Sequence, residues 1–195
     1  GAKVVAGAEA VGYKGLATFE FLRDADGEFY FLEVNPRVQV EHTVTEMIAG
    51  VDLVSLGIRV AAGEALPITQ SEVRISGHAI QTRVNAENPF TLDPSPGRIW
   101  ECHWPGGPGV RVDTHAHTGY DMPPSFDSLL AKVIVWAPTR NEAIAKMDSA
   151  LKETLIIGVD TLIPLHRAIL NEADFRNREV TISYLDEHPG LLDGA

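Results

Sequence analysis

Glu20 and Glu33 fall in two apolar runs, Ala17-Thr-Phe-Glu-Phe-Leu-Arg23 and Phe29-Tyr-Phe-Leu-Glu-Val-Asn35, separated by Asp26-Gly27. The runs are rich in strand-forming residues, and Asp-Gly is a favoured two-residue hairpin turn because both central residues need positive φ. With that turn Ala25 faces Glu28, Arg23 faces Tyr30, Glu20 faces Glu33 and Asn35 faces Thr18 on the side of the sheet that carries Glu33. Directly opposed like charges destabilise a sheet, and apolar neighbours add a desolvation penalty. A hard divalent cation such as Mg²⁺ or Mn²⁺ relieves both, because it favours carboxylate and amide oxygens together with phosphate oxygens and water. A solvated acidic face is the plainer alternative.

A dense polar run follows, Pro36-Arg37-Val38-Gln39-Val40-Glu41-His42, where the chain should leave the sheet. Arg37, Gln39 and Glu41 alternate, so an extended backbone projects all three to one side. A guanidinium, an amide and a carboxylate converging there could hold a small oxyanion and remove a proton beside it. An ordinary Arg37–Glu41 surface pair, contributing only about 0–1 kcal/mol, is the competing reading. His42 is expected to support Glu41 or the local turn.

Here the chain resembles the biotin carboxylase component of the biotin-dependent carboxylases. The likeness is carried by Phe19-Glu20-Phe21, Phe31-Leu-Glu33-Val-Asn35-Pro-Arg37-Val-Gln39-Val-Glu41-His42 and Thr45-Glu-Met47, and continues in His78-Ala-Ile-Gln-Thr-Arg83-Val-Asn85-Ala-Glu87-Asn-Pro89, Pro94-Ser-Pro-Gly97, Pro105-Gly-Gly107 and Gly119-Tyr-Asp-Met-Pro-Pro124-Ser-Phe-Asp127. It covers nearly the whole chain. Glu-x-Asn is shared with other ATP-grasp enzymes, whereas Arg-x-Gln-x-Glu-His followed by Arg-x-Asn-Ala-Glu is particular to biotin carboxylases.

The resemblance implies that Glu20, Glu33 and Asn35 ligate the Mg²⁺ or Mn²⁺ ions that bridge ATP phosphates. It implies that Arg37, Gln39 and the backbone at Val40 bind bicarbonate, that Glu41 is the general base, and that Arg83 stabilises carboxyphosphate and the enolate of biotin. Arg83 as an ordinary structural partner of a carboxylate is the bland reading. The implied reaction consumes ATP and bicarbonate to carboxylate N1 of biotin on a carrier protein, in an acyl-CoA or pyruvate type of carboxylase such as the acetyl-CoA carboxylase of fatty acid biosynthesis. Implied partners are the upstream N-terminal and ATP-grasp parts of the enzyme, the biotin carboxyl carrier, the carboxyltransferase and further copies of the chain. Rival readings are a non-catalytic assembly module, another ATP-grasp ligase such as a carbamoyl-phosphate synthetase, and a two-carboxylate metal hydrolase.

The elements that must position these residues suggest an α+β chain with a boundary near Arg74. The resemblance implies that residues 1–73, with the antiparallel hairpin, are an ATP-grasp remnant and that 74–195 are a mixed strand and helix biotin carboxylase C-terminal domain. A helix over 1–11 closed by Gly12 leads into the hairpin. Asp52 is a plausible N-cap for Leu53–Ala62, with Gly63 after it. Strands are expected over Gly77–Val84, Gly97–His103, Val110–Thr114 and Leu129–Trp136. Thr139-x-x-Glu142 is a capping box opening a helix through about Thr154, with Ile144, Met147 and Leu151 on one face. Asp160 could cap Leu162–Leu170, and Ile182–Asp186 could make a short last helix. Trp100, Trp104 and Trp136 are expected in the core.

No glycine-rich phosphate loop is present; Pro105-Gly-Gly-Pro-Gly109 reads as a turn. The chain is therefore expected to be the C-terminal part of a longer enzyme and inactive alone, with its first part the less stable. Net charge −11 argues against a nucleic-acid surface, and makes an anion site depend on local cations. No apolar run is long enough to span a membrane, and no secretory signal is visible. The single cysteine, Cys102, rules out an intrachain disulfide and suits a reducing compartment, the cytoplasm or the mitochondrial matrix. His103, His115 and His117 with Cys102 match no common zinc spacing.

Overall fold

The structure, a computed structural model, describes residues 1–177 and 180–192. The chain divides into two compact units, Gly1–Ser76 and Gly77–Ala195.

The first unit contains α1 (Ala2–Ala10), β1 (Thr18–Arg23), β2 (Phe29–Asn35), α2 (His42–Ala49) and α3 (Leu53–Ala61). The hairpin β1–β2 forms, but its turn is one residue longer than Asp26-Gly27 alone allows. Asp24 N–H donates to Glu28 O at 3.1 Å, Gly27 N–H donates to Asp24 O at 3.1 Å, and Gly27 has φ +88°. That is a type I turn closed by a left-handed glycine, the usual three-residue connection. Arg23 consequently faces Phe29 rather than Tyr30, and Ala25 lies inside the turn instead of facing Glu28. A bulge between Glu20 and Phe21, with Leu32 as the extra residue, shifts the register back. Beyond it Glu20 faces Glu33 and Thr18 faces Asn35.

The polar run after β2 does not stay extended through Glu41. Val40 and Glu41 turn, His42 N–H donates to Gln39 O at 3.2 Å, and Glu41 is the N-cap of α2. Helix α2, which the alternation concealed, ends at Gly50 with φ +66°. Asp52 caps α3 by accepting from Ser55 N–H at 2.8 Å. Helix α1 buries none of its residues within this unit.

The second unit contains β3 (His78–Asn85), β4 (Gly97–Arg98), β5 (Glu101–His103), β6 (Val110–Thr114), β7 (Asp121–Met122), β8 (Leu129–Ala137), α4 (Arg140–Glu153), β9 (Leu155–Ile157), α5 (Ile163–Asn171), α6 (Ala173–Asn177) and α7 (Tyr184–Glu187). Its main sheet is antiparallel with order β3-β8-β6. Ala131, Val133, Val135 and Ala137 of β8 pack with Val84 against Ala143, Ile144, Met147, Ala150 and Leu151 of α4. Ile99, Ala116, Met122 and Leu130 form a second cluster with Ala86. Each large side chain so buried contributes about 1.5–3 kcal/mol, which makes β8 the strand around which this unit is built. The capping box on Thr139 and Glu142 is present in full.

Several expectations need correction. The strand over Gly97–His103 breaks at Ile99-Trp100 into β4, which pairs β7, and β5, which pairs β9. Strand β9 follows α4 without warning in the apolar pattern, because a short run such as Leu-Ile-Ile fits either element. Asp160 does not cap α5; Leu162 is the N-cap without a side-chain bond, and Asp160 instead receives Asn88 Nδ2 at 3.4 Å. Trp100 is 66% exposed, with the Arg98 guanidinium 5.5 Å from its ring, so it is not a core residue. His115 and His117 lie beyond β6 and pack edge-on against Tyr120. Among the described residues no three His, Cys, Asp or Glu side chains gather as metal ligands, and no helix is long and apolar enough to cross a membrane.

Candidate functional site

The hairpin brings its acidic pair together with amides rather than burying it. Asn35 Nδ2 donates to Glu20 Oε1 and to Glu33 Oε1, each at 2.9 Å. Gln39 Nε2 adds a second donor to Glu20 Oε1 at 2.6 Å. One side-chain amide thus uses both of its N–H groups to hold two carboxylates on one face of the sheet. Glu20 is half-buried and Glu33 exposed, so the desolvation expected from their apolar neighbours is smaller than the sequence implies. Every hydrogen bond these carboxylates accept among the described residues falls on Oε1. Two carboxylates and an amide are side chains whose oxygens suit Mg²⁺ and Mn²⁺. Here, however, the Asn35 amide turns its nitrogen to both carboxylates, so its oxygen would join such a set only with the amide reversed.

Arg37 reaches the same group: its Nη2 donates to Asn35 Oδ1 at 3.3 Å and its Nη1 to Val38 O at 3.3 Å. Gln39 is 9% exposed, and its Oε1 is buried without a hydrogen-bond partner. His42 Nδ1 lies 2.6 Å from Gln39 O and so braces the turn that carries Val40 and Glu41. Glu41, exposed, stands at the N-terminus of α2, where the helix dipole favours negative charge. Behind it Thr43 is fully buried and Glu46 receives Leu53 N–H at 2.7 Å, tying α2 to the start of α3. Glu20, Glu33, Asn35, Arg37 and Gln39 therefore form one hydrogen-bonded group, with Val40 and Glu41 on the turn that follows it.

Arg83 belongs to the second unit. On β3 its neighbours Thr82 and Val84 are buried toward α4, so Arg83 points to the opposite, exposed face. Across that face it is paired with Lys132, which is paired in turn with Asp113. Burial would raise the Asp113 carboxyl, but its bonds to Arg111 and Lys132, at 2.7 and 3.1 Å, hold it below the usual carboxylate range. The like charges of Arg83 and Lys132 are thus accommodated by a neighbouring anion.

Sequence reasoning missed the residues around Arg83. His166 Nε2 lies 2.8 Å from Arg83 O, and burial pushes its imidazole below the ordinary histidine range, although the Arg83 carbonyl and Glu87 act the other way. Glu87 receives Asn85 Nδ2 at 2.9 Å and a short hydrogen bond from the Ser128 hydroxyl. The motif Arg-x-Asn-Ala-Glu could have suggested the Asn85–Glu87 contact; nothing local points to His166.

Comparison with known proteins agrees with this layout. Residues 81–187 match the model of the biotin carboxylase C-terminal domain, and residues 1–69 match that of the carbamoyl-phosphate synthase L chain ATP-binding domain. The chain is 49% identical over 181 residues to biotin carboxylase of Haemophilus influenzae, covering 93% of this chain and 40% of that protein. It is 50% identical over 189 residues to the chloroplastic biotin carboxylase of Arabidopsis thaliana, covering 96% of this chain and 35% of the relative. The biotin carboxylase domain dimer of Hydrogenobacter thermophilus 2-oxoglutarate carboxylase, solved with MgADP, ADP and bicarbonate, superposes with TM-score 0.97 at 47% identity over 100% of this chain and 43% of that one. The chain thus spans between 35% and 43% of the length of these relatives. By its α+β fold, its C-terminal domain and the likeness along its length, this chain belongs to the biotin carboxylase family.

Proposed function

We propose that this chain is the C-terminal part of a biotin carboxylase, which uses ATP and bicarbonate to carboxylate N1 of biotin on a carrier domain. The observation that carries the reading is the hydrogen-bonded group of Glu20, Glu33, Asn35, Arg37 and Gln39 leading directly into Glu41. Glu20, Glu33 and Asn35 would hold Mg²⁺ or Mn²⁺, which when bound neutralises charge on the nucleotide phosphates. Arg37 offers a planar fork suited to a carboxylate-like anion, Gln39 and the Val40 backbone complete the bicarbonate site, and the N-terminus of α2 favours an anion there.

Glu41 takes the bicarbonate proton, and the freed oxygen attacks the γ-phosphorus as ADP departs. The carboxyphosphate so formed breaks into CO₂ and phosphate. Phosphate accepts the N1 proton of biotin, and the resulting enolate attacks CO₂ through N1. Arg83 stabilises carboxyphosphate and then the enolate oxygen. Phosphoryl transfer rests chiefly on positioning and charge neutralisation, and the nucleotide must also be gripped by residues outside this chain. The remaining partners in this reading are the upstream N-terminal and ATP-grasp parts, the biotin carboxyl carrier, the carboxyltransferase that delivers the carboxyl group to an acyl-CoA or pyruvate acceptor, and a second copy of the enzyme, in the cytoplasm or the mitochondrial matrix.

The test adds the purified chain to ATP, Mg²⁺, bicarbonate and free biotin and follows phosphate. No sustained release is expected from residues 1–195, and bicarbonate-dependent release is expected from the full-length carboxylase that carries them. Release by the chain alone that vanishes in Glu41→Gln would mean that a nucleotide grip from outside the chain is not required.

A further inference from the structure

Among the described residues strand β3 is an edge of its sheet: β8 pairs with one side of it, and its other side faces away from the ladder. On an edge, outward carbonyls lack a ladder partner and the backbone is free to fray. At the end that carries Arg83, helix α5 closes this edge. Leu162 N–H, at the N-cap of α5, donates to Asn85 O at 3.2 Å. One turn later the His166 ring meets Arg83 O at 2.8 Å. The two carbonyls are two residues apart and so point the same way, away from β8.

The inner edge of β3 is irregular at the same place. Arg83 pairs with Lys132 and Val84 with Ala131, but Asn85 pairs with Leu129, so the register shifts between Val84 and Asn85. The extra residue, Leu130, lies on β8, and such a bulge disrupts and twists the ladder locally, beside Val84 and Asn85 of β3. With the inner ladder irregular after Val84, one residue beyond Arg83, the outer contacts to α5 on Arg83 O and Asn85 O help to fix the direction of the backbone from which the Arg83 side chain departs.

We infer that His166 is a positioning residue for Arg83: its Nε2–H holds the Arg83 carbonyl and so aims the guanidinium from the face of β3 opposite the core. The inference rests on Arg83 acting on carboxyphosphate and the biotin enolate as proposed above. A carbonyl can only accept, so Nε2 is the protonated nitrogen and the neutral ring is the Nε2–H tautomer. A reacting group displaced by an ångström can cost about 10²-fold in rate, and a shift of the backbone at Arg83 carries the guanidinium with it.

The experiment measures biotin carboxylation and bicarbonate-dependent ATP cleavage side by side in the full-length carboxylase, for the wild type, Arg83→Ala, His166→Ala and His166→Gln. His166→Ala is expected to lower kcat for biotin carboxylation on the order of 10–10²-fold while ATP cleavage is largely retained. His166→Gln keeps a side-chain N–H donor and is expected to recover most of that loss. Nitrogen-15 NMR of the folded chain should report the Nε2–H tautomer at His166. Equal loss of both activities in His166→Ala and His166→Gln, no loss in either, or an Nδ1–H tautomer would overturn the inference. If Arg83→Ala is impaired as expected but His166→Ala is not, only the role of His166 falls; if Arg83→Ala leaves biotin carboxylation intact, the proposed role of Arg83 falls and this inference with it.

Discussion

Glu20 and Glu33 occupy directly paired positions on β1 and β2, and a single amide, that of Asn35, donates 2.9 Å hydrogen bonds to Oε1 of both. In the absence of a cation, that amide and the Gln39 amide offset the repulsion between the carboxylates. Glu33→Gln removes one charge, so the metal-free chain should gain roughly 0.2–1 kcal/mol. It should also lose any increase in stability on adding Mn²⁺ with ATP. Urea unfolding with and without Mn²⁺·ATP checks both; an unchanged metal response in the variant would remove Glu33 from the ligand set.

Glu41→Gln in the full-length carboxylase should depress ATP cleavage and biotin carboxylation together, by about 10²–10⁴-fold, as loss of a positioned acid–base group does. Arg83→Ala should mainly impair carboxylation, with some bicarbonate-dependent ATP cleavage persisting, because enolate stabilisation follows carboxyphosphate formation. Parallel assays of labelled biotin and ADP distinguish the two patterns.

Two histidines of the second unit give opposite pH dependences. Burial lowers the His166 pKa in the folded state, so its contribution to stability is present above about 6.5 and lost as pH falls from there through the folded value. The His188 pKa is raised, first by its bond to the Tyr184 carbonyl; burial, next in size, acts the other way, and Asp174 and Glu172 add to the rise. Its contribution is present below about 6.5 and lost as pH rises through the higher folded value. Thermal unfolding between pH 5 and 8 should therefore lose its acid-side slope in His166→Gln and its neutral-side slope in His188→Asn.

Phe29, Tyr30, Phe31 and Leu32 of β2 are each more than half exposed in the first unit. Contiguous apolar surface on a two-stranded sheet favours association. Sedimentation of the isolated chain should show concentration-dependent self-association that Phe31→Ser together with Leu32→Ser reduces; a monomer at every concentration would contradict this.

Much of this site is legible in the sequence because chemistry and local rules coincide. The Asn35 network follows from the Glu-x-Asn spacing, and the Asp52 and Thr139 caps follow from their side chains. The two-residue turn at Asp26-Gly27 is incorrect, yet the pairing of Glu20 with Glu33 that it implies holds, because the bulge at Leu32 cancels the extra turn residue. Helix α2 is hidden by alternating polarity in Arg37-x-Gln39-x-Glu41, where a turn and an N-cap look like a strand. His166 is beyond reach for a different reason: its partner is 83 residues away, and no periodicity marks a histidine that bonds a remote carbonyl.

Transfer of carbon from labelled bicarbonate to N1 of biotin, measured with the full-length carboxylase that carries these residues, tests the central claim most directly. Transfer should require ATP and Mg²⁺ or Mn²⁺, and should fall to background in Glu20→Gln combined with Glu33→Gln and in Glu41→Gln, with the fold intact by circular dichroism. Transfer that survives in all of these variants would contradict the assignment of the hairpin acids and Glu41 to the reaction.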